Sequence, residues 1–168
     1  FRPRLDRSHF LVFQRVNHFT DSKQLTSKDL LKNNLQRFTE MTGRAASSFE
    51  IMPQTFVLPH EYTSFVRAFT EAESAKNDGE VKLNSFWIMK PVGMSRGRGI
   101  SLVNDLSDLN FSQKTVVQKY IERPLCLDGY KFDLRLYVLV TSFHPLEAFV
   151  YKEGFARIST QAYSTNPN

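Results

Sequence analysis

The stretch KPVGMSRGRGI, residues 90–100, governs the interpretation of this 168-residue chain. It follows the apolar run FWIM and precedes SLV, so it predicts a glycine-rich, positively charged loop between two strands. Glycines let backbone N–H groups approach phosphate oxygens, and a lysine at the end of a strand adds a positive charge. The loop has neither Walker A spacing nor the third glycine and following helix of a dinucleotide fingerprint. It is therefore either another kind of phosphate loop or an ordinary turn with solvated cations.

Downstream of this loop the sequence predicts mainly strands. The segments rich in β-branched or alternating residues are TVVQKYI (115–121), KFDLRLYVLVT (131–141), LEAFVY (146–151) and FARIS (155–159). The tripeptide KEG, which ends at Gly154, predicts a hairpin between the last two of them. Hairpin connections of this kind are typical of an antiparallel sheet, so we expect an α+β fold with flanking helices.

The upstream half predicts the helices and one short strand. A segment resembling a capping box, Thr26 to Asp29, precedes a helical pattern near 27–38, and residues 39–50 lose that pattern and predict a loop. QTFVL (54–58) predicts a strand, and the stripe from Tyr62 to Phe69 predicts a helix packed on the core. The polar segment 71–84 predicts a connection, which divides the chain into domains 1–84 and 85–168.

Composition limits the classes of partner. The net charge of +5 favours an anionic partner, but the cations are scattered rather than grouped in a nucleic-acid-binding tail, and no recognition motif for nucleic acid is present. No apolar run approaches the roughly 20 residues that span a bilayer. The single cysteine, Cys126, excludes an internal disulfide, and no zinc-ligand spacing occurs. We therefore expect a cytoplasmic protein without membrane or nucleic-acid partners.

The segment KFDLR carries a row of charges. Because side chains alternate along a strand, Lys131, Asp133 and Arg135 share one face, and Phe132 and Leu134 are predicted to face the core. A carboxylate in this row can accept hydrogen bonds from ribose hydroxyls, and cations can bind phosphate oxygens. The alternative is a cross-strand ion-pair ladder on an exposed face.

The ordered series of motifs resembles the tubulin tyrosine ligase-like proteins from about Gln14 to Ser159. The motifs are QRVNHF, PQTFVLP, KPVGMSRGRGI, VVQKYIERPL, DGYKFDLRLYVLVTS and HPLEAFVYKEGFAR. The resemblance implies an ATP-grasp fold that uses ATP and magnesium to convert a carboxylate into an acyl phosphate, which the amine of a free amino acid then attacks. It also implies that the acceptors are the acidic C-terminal tails of tubulin in microtubules. The polyglutamylase branch is most similar, which favours glutamate over glycine or tyrosine and a location on the cytoskeleton, including the cilium or basal body.

The same resemblance assigns roles to individual residues. It places Lys90 at the ATP phosphates, Gly97 and Gly99 in the phosphate loop, and Arg96 between nucleotide and acceptor peptide, where many members have Gln. Further contacts to the nucleotide are implied for Gln118, Lys119, Tyr120 and Ile121 beside adenine, and for Lys131 and Asp133. The catalytic cations are implied to be Arg135, which stabilises charge on the transferring phosphoryl group, and Arg157, which binds phosphate or the incoming amino-acid carboxylate.

No metal ligand is predicted within this sequence. The family's magnesium ligands, an Asp and a later Glu-x-Asn, follow the YKEGFAR motif at a distance, and Asp105, Asp108 and Glu122 are interpreted as loop and strand-end charges instead. We therefore expect the sequence to be a piece of a longer protein, truncated within the ATP-grasp fold and inactive by itself. Two hypotheses remain open: part of an ATP-dependent amino-acid ligase, or a non-catalytic module that binds tubulin or a nucleotide.

Overall fold

A computed structural model describes residues 11–14, 18–77, 86–110 and 112–164. Helices and antiparallel strands are combined in it, which confirms the α+β class. The chain divides into two compact units, unit 1 (Phe1–Tyr120) and unit 2 (Ile121–Asn168). This division differs from the predicted boundary after residue 84, because Thr55–Leu58, upstream of that boundary, pairs with Thr115–Lys119, downstream of it.

The helices of unit 1 are longer than the sequence pattern indicates. They are α1 (Lys23–Thr26), α2 (Lys28–Thr42) and α3 (Tyr62–Asn77). The loop predicted for 39–50 was wrong: α2 continues to Thr42, and a 3-10 helix follows over Gly43–Phe49, where Phe49 stacks on Phe38 at 5.6 Å between ring centroids. Residues 71–77 of the predicted connection are helical because Glu, Ala and Lys favour a helix. In the described part of the chain, no helix is long and apolar enough to cross a membrane.

Unit 1 contains an antiparallel sheet of four strands. They are β1 (Thr55–Leu58), β2 (Trp87–Pro91), β3 (Ser101–Val103) and β4 (Thr115–Lys119), in the order β1-β4-β2-β3. The register places Trp87 opposite Lys119 and Met89 opposite Val117. The predicted strand QTFVL is confirmed, and β2 and β3 lie on either side of the glycine-rich loop as expected.

The core of unit 1 lies between α3 and this sheet. Phe65 and Phe69 of α3 are buried, and the Phe65 ring meets the Trp87 ring edge-on at 5.2 Å between centroids. The other residues of the buried cluster are Leu58, Met89, Val103 and Val117. The predicted role of the aromatic stripe in core packing is thus confirmed, and this packed layer supports the strands from which the loop projects.

Unit 2 is formed by short strands in two antiparallel groups. They are β5 (Cys126–Leu127), β6 (Tyr130–Arg135), β7 (Val138–Phe143), β8 (Leu146–Val150) and β9 (Phe155–Ile158), arranged as β5-β6-β9 and β7-β8. The single strand predicted over 131–141 is interrupted at Leu136 and Tyr137. Leu134, predicted to face a core, is 63% exposed.

The hairpin predicted at KEG was also wrong. β8 pairs with β7 across the turn at His144 and Pro145, whereas β9 pairs with β6. A Cβ atom on Gly154 would lie 2.5 Å from the carbonyl oxygen of Arg135. The glycine is therefore required by the close approach of two backbone segments rather than by a hairpin turn.

Candidate nucleotide site

The glycine loop, defined here as Val92–Ile100, connects β2 to β3. Within it Arg96, Gly97 and Gly99 have φ values of 60°, 75° and 67°. Left-handed residues next to right-handed ones can turn neighbouring N–H groups toward a common side, an arrangement that binds anions. In this structure the N–H groups of Arg98 and Ile100 donate to the carbonyls of Ser95 and Gly97, both at 3.4 Å. A Cβ on Gly99 would lie 3.1 Å from Cγ of Pro91 and 3.2 Å from Sδ of Met94, so the loop folds back onto its own first residues.

Lys90 at the end of β2 is oriented by a chain of side-chain hydrogen bonds across three strands. Its Nζ donates to Oε1 of Gln118 at 2.7 Å, and Nε2 of Gln118 donates to Oγ1 of Thr55 at 2.8 Å. The Thr55 hydroxyl donates in turn to the carbonyl of Pro53 at 2.6 Å. Two of the predicted site residues, Lys90 and Gln118, are thus brought together. Thr55 was missed, because its contact follows from the pairing of β1 with β4 and not from any local motif.

The other residues predicted to contact adenine are placed differently. Lys119 follows Gln118 in the strand and therefore projects from the opposite face, where its Nζ lies 5.0 Å from the centroid of the buried Trp87 ring. The backbone N–H of Tyr120 donates to the carbonyl of Phe86 at 3.0 Å. Ile121 is exposed and begins unit 2, so the predicted adenine segment spans the division between the units.

In unit 2 the charged row of β6 pairs with β9. Asp133 lies opposite Arg157, whose Nε and Nη2 both donate to Oδ2 of Asp133, the former at 2.9 Å. Both side chains are more than half exposed. Lys131 lies over the ring of Tyr163, and the Arg135 guanidinium lies 5.7 Å from the centroid of the Tyr137 ring. The cross-strand ion pair, which was the alternative interpretation of this row, describes the geometry of Asp133 and Arg157, and the nucleotide role of the row stays a prediction.

The first turn of α2 contributes two charged residues that sequence reasoning had treated only as helix-capping signals. Nζ of Lys28 donates to the carbonyls of Met94 at 2.8 Å and Pro91 at 3.3 Å. Asp29 is buried and pairs with Nζ of Lys114 at 2.6 Å. Ser27, not Thr26, is the N-cap residue of α2, and its hydroxyl donates to Asp29. The capping-box prediction was therefore wrong in its residues.

The Asp29 carboxylate is strongly stabilised in its charged form. Burial alone raises the pKa of Asp29, but hydrogen bonds from Lys114, from the Ser27 hydroxyl and from the Leu30 N–H outweigh burial and lower this pKa to about 2. Asp105 is an exposed capping residue: hydrogen bonds from the Ser107 hydroxyl and N–H lower its pKa. The interpretation of Asp105 as a loop charge agrees with this contact.

The described residues contain no group of three or more His, Cys, Asp or Glu side chains close enough to hold a metal ion. The donor set of this part of the chain therefore does not fit a complete magnesium site. The groups that are present are of the kinds that bind anions: a lysine held near a strand end, a loop with left-handed backbone, and exposed arginines.

Comparison with known proteins extends these observations. The sequence model described as "Tubulin-tyrosine ligase family" matches residues 5–168. "Tubulin polyglutamylase TTLL5" of Homo sapiens is 44% identical over 150 residues, which cover 89% of this chain and 11% of that protein. "Probable tubulin polyglutamylase TTLL2" of Homo sapiens is 40% identical over 151 residues, covering 90% of this chain and 24% of that protein. "Tubulin polyglutamylase TTLL7" of Homo sapiens is 37% identical over 151 residues, which cover 90% of this chain and 16% of that protein. The chain thus spans at most a quarter of the length of these relatives.

Proposed function

Because this chain belongs to the tubulin-tyrosine ligase family, we propose that it supplies nucleotide-binding residues, in an ATP-grasp-like fold, to an ATP-dependent ligase that adds glutamate to the acidic tails of tubulin. The observation that carries the nucleotide proposal is the glycine loop, which begins two residues after the oriented Lys90 and has positive φ at Arg96, Gly97 and Gly99. The similarity to tubulin polyglutamylases supports glutamate as the amino acid and tubulin as the acceptor. A place on the cytoskeleton, in cytoplasm, cilium or basal body, follows from this acceptor.

In this proposal ATP supplies a phosphoryl group to a tail carboxylate with release of ADP, and the amine of free glutamate then displaces phosphate to form the amide. Lys90 binds the phosphates through a charge-assisted hydrogen bond, and Gln118 holds its ammonium group in place from β4. Backbone N–H groups around Gly97 and Gly99 close on phosphate oxygens, with the Arg96 charge beside them. Phosphoryl transfer depends mainly on such positioning and on positive charge near the transferred group.

The residues of unit 2 supply further charge. Both hydrogen bonds from Arg157 end on Oδ2 of Asp133, so Oδ1 can accept from a ribose hydroxyl while the ion pair stays intact. Lys131 binds the nucleotide beside Asp133, and Arg135 and Arg157 offset the negative charge of the transferred phosphoryl group or of the incoming amino acid. Magnesium accompanies ATP in this proposal, but the donors among the described residues do not form a site for it.

The proposal is tested first by ATP binding to the full-length protein. Lys90→Ala removes a charge-assisted contact of roughly 1.5 to 3 kcal/mol, so calorimetric titration should show ATP affinity reduced at least about tenfold. Lys152→Ala, at an exposed lysine between β8 and β9, is the matched control and should bind like the wild type. Equal ATP affinities for wild type and Lys90→Ala would remove the loop from the proposed site.

The amino acid is tested by transfer. Wild type and Lys90→Ala are incubated with ATP, magnesium, microtubules and labelled glutamate, glycine or tyrosine in parallel. We expect label from glutamate only, and only with the wild type. Preferential incorporation of glycine or tyrosine would replace the amino acid in the proposal. ATP binding without transfer of any of the three would favour the second hypothesis, a non-catalytic module that binds tubulin or a nucleotide.

A further inference from the structure

Lys28 contacts the beginning of the glycine loop although it lies in a distant part of the sequence. It is the first residue of α2, and its Nζ donates to the carbonyls of Pro91 and Met94, the segment we call the loop root (Pro91–Met94). The helix dipole disfavours a cation in the first turn of a helix. Helix stability therefore gives no reason for a lysine here, whereas the two carbonyl contacts do.

A second anchor holds the loop root from the side of β4. The N–H of Val92 donates to the carbonyl of Lys114 at 3.0 Å, and Nζ of Lys114 is in turn held by Asp29 at 2.6 Å. Lys28 and Asp29 are neighbours in α2. The first turn of this helix therefore holds the loop root in two ways. Lys28 contacts it directly, and Asp29 holds Lys114, whose carbonyl accepts the hydrogen bond from Val92.

The Lys28 contact also has consequences for the far end of the loop. In a trans peptide the carbonyl and the following N–H point in opposite directions, so a Met94 carbonyl held by Lys28 turns the N–H of Ser95 away from Lys28. The side of Gly99 on which a Cβ would project faces the Pro91 ring and Met94 Sδ. These belong to the two residues whose carbonyls Lys28 holds.

We propose that Lys28 is a positioning residue for the glycine loop: it fixes the loop root from α2 so that the loop's N–H groups are arranged for phosphate before a nucleotide arrives. Lys28 acts through the carbonyls of Pro91 and Met94, which its Nζ contacts. The claim that the loop binds phosphate rests on the proposed function. The claim that Lys28 keeps the loop ordered without a nucleotide is independent of that function and is measured separately.

The experiment uses four forms of the full-length protein: wild type, Lys28→Met, Lys28→Arg and Lys23→Met. Methionine keeps an unbranched apolar stem without the charge, and Lys23, in the exposed helix α1, is the matched control. The first measurement is trypsin cleavage after Arg96 and Arg98 without nucleotide, followed by mass spectrometry. Trypsin cleaves the loop when it opens, and loss of a charged hydrogen bond increases the fraction of molecules with an open loop. We therefore expect cleavage about tenfold faster in Lys28→Met. Lys28→Arg should restore slow cleavage in part, and Lys23→Met should match the wild type.

The second measurement is ATP titration of the same proteins. We expect Lys28→Met to weaken ATP affinity about tenfold with an unchanged melting temperature. Unchanged cleavage after Arg96 and Arg98 overturns the inference, whatever the ATP result. Equal acceleration at sites throughout the protein also overturns it, because Lys28 would then act on global stability. If Lys28→Met accelerates loop cleavage alone and the wild type binds no ATP, the positioning role stands and the proposed function fails.

Discussion

Units 1 and 2 hold their charged residues in different ways. Among the described residues, the buried hydrophobic side chains all belong to unit 1, where α3 covers the sheet that carries the glycine loop. In unit 2 large apolar side chains such as Phe149 are about half exposed, and the strands are defined by backbone pairing. The geometry of Lys90 is therefore fixed by a packed scaffold, whereas that of Asp133 is fixed by the register of two strands.

The ion pairs of the two units follow the same division. Asp29 is buried and receives several hydrogen bonds from partly exposed partners, so removing its charge weakens contacts that are partly shielded from water. The pair of Asp133 and Arg157 is largely exposed, and pairs of that kind contribute little to stability because water solvates both partners when they separate. The contrast predicts that similar substitutions in the two units have different effects on the free energy of unfolding.

The largest difference is expected between Phe65→Ala and Phe149→Ala in the 168-residue chain. Phe65 is fully buried, so its loss should lower the free energy of unfolding by about 3 to 5 kcal/mol, while Phe149→Ala should cost about 1 kcal/mol or less. Trp87 is the only tryptophan and lies in the core of unit 1, so its fluorescence during urea denaturation reports this unit. If Phe149→Ala shifts the Trp87 transition as far as Phe65→Ala does, the proposed difference in packing between the two units is wrong and the comparison fails.

The next effect concerns the close approach in unit 2. Gly154→Ala places a methyl group against the Arg135 carbonyl, which should cost about 1 to 3 kcal/mol. We expect faster hydrogen exchange of the amides in β6 and β9, measured by mass spectrometry, and an unchanged Trp87 transition. Normal exchange protection in Gly154→Ala would show that the backbone around Arg135 moves aside easily.

A third prediction concerns Asp29 and acid. In the folded protein the pKa of Asp29 is lowered from 3.8 to about 2. The ionised carboxylate therefore stabilises the folded state at any pH where Asp29 is ionised in both the folded and the unfolded protein. The corresponding stability, about 2 kcal/mol, is fully present above about pH 4 and is lost as the pH falls toward 2. Asp29→Asn should therefore destabilise unit 1 by about 2 kcal/mol at pH 7, with a smaller difference from wild type near pH 3. The measurement is urea denaturation followed by Trp87 fluorescence at both values of pH. A difference that is independent of pH would mean that shape, not charge, matters at this position.

The smallest effect on stability is expected for Asp133→Asn. Loss of the exposed pair should change the free energy of unfolding by less than about 1 kcal/mol. ATP affinity of the full-length protein should nevertheless fall if Asp133 accepts a ribose hydroxyl. A variant that melts early and still binds ATP normally would assign Asp133 to a structural ion pair. Arg157→Gln, alone and combined with Asp133→Asn, separates the energy of the pair from the effect on binding.

Local patterns in the sequence predicted most of unit 1. The spacing of Phe65 and Phe69 identified a helix that packs on the core, because burial of one helix face requires that spacing. The glycine loop was predicted from its three glycines and three cations between two strands, and the positive φ at Gly97 and Gly99 explains why glycine occurs there. The end of α2 at Thr42 was missed because the apolar periodicity ends before the helix does.

Contacts between distant segments could not be predicted in this way. Gly154 was interpreted as a turn residue, although its close neighbour is the carbonyl of Arg135, in β6. The contacts of Lys28, Thr55 and Lys114 with the loop root, Gln118 and Asp29 exist only once the strands and α2 are assembled. The sequence motifs named Lys90 and Gln118, whose role at a nucleotide stays a prediction, whereas the contact of Gln118 with Thr55 could not be predicted from them.

The backbone of Arg96 has a consequence for attempts to engineer this protein. A residue other than glycine or asparagine at a φ of 60° carries a conformational cost of about 1 kcal/mol or more. A library screened for thermal stability alone should therefore enrich Asn at this position. The same selection would delete a positive charge from the loop that we propose meets phosphate. Stabilising substitutions here should be accepted only after a second screen for activity, since stability and function favour different side chains at Arg96.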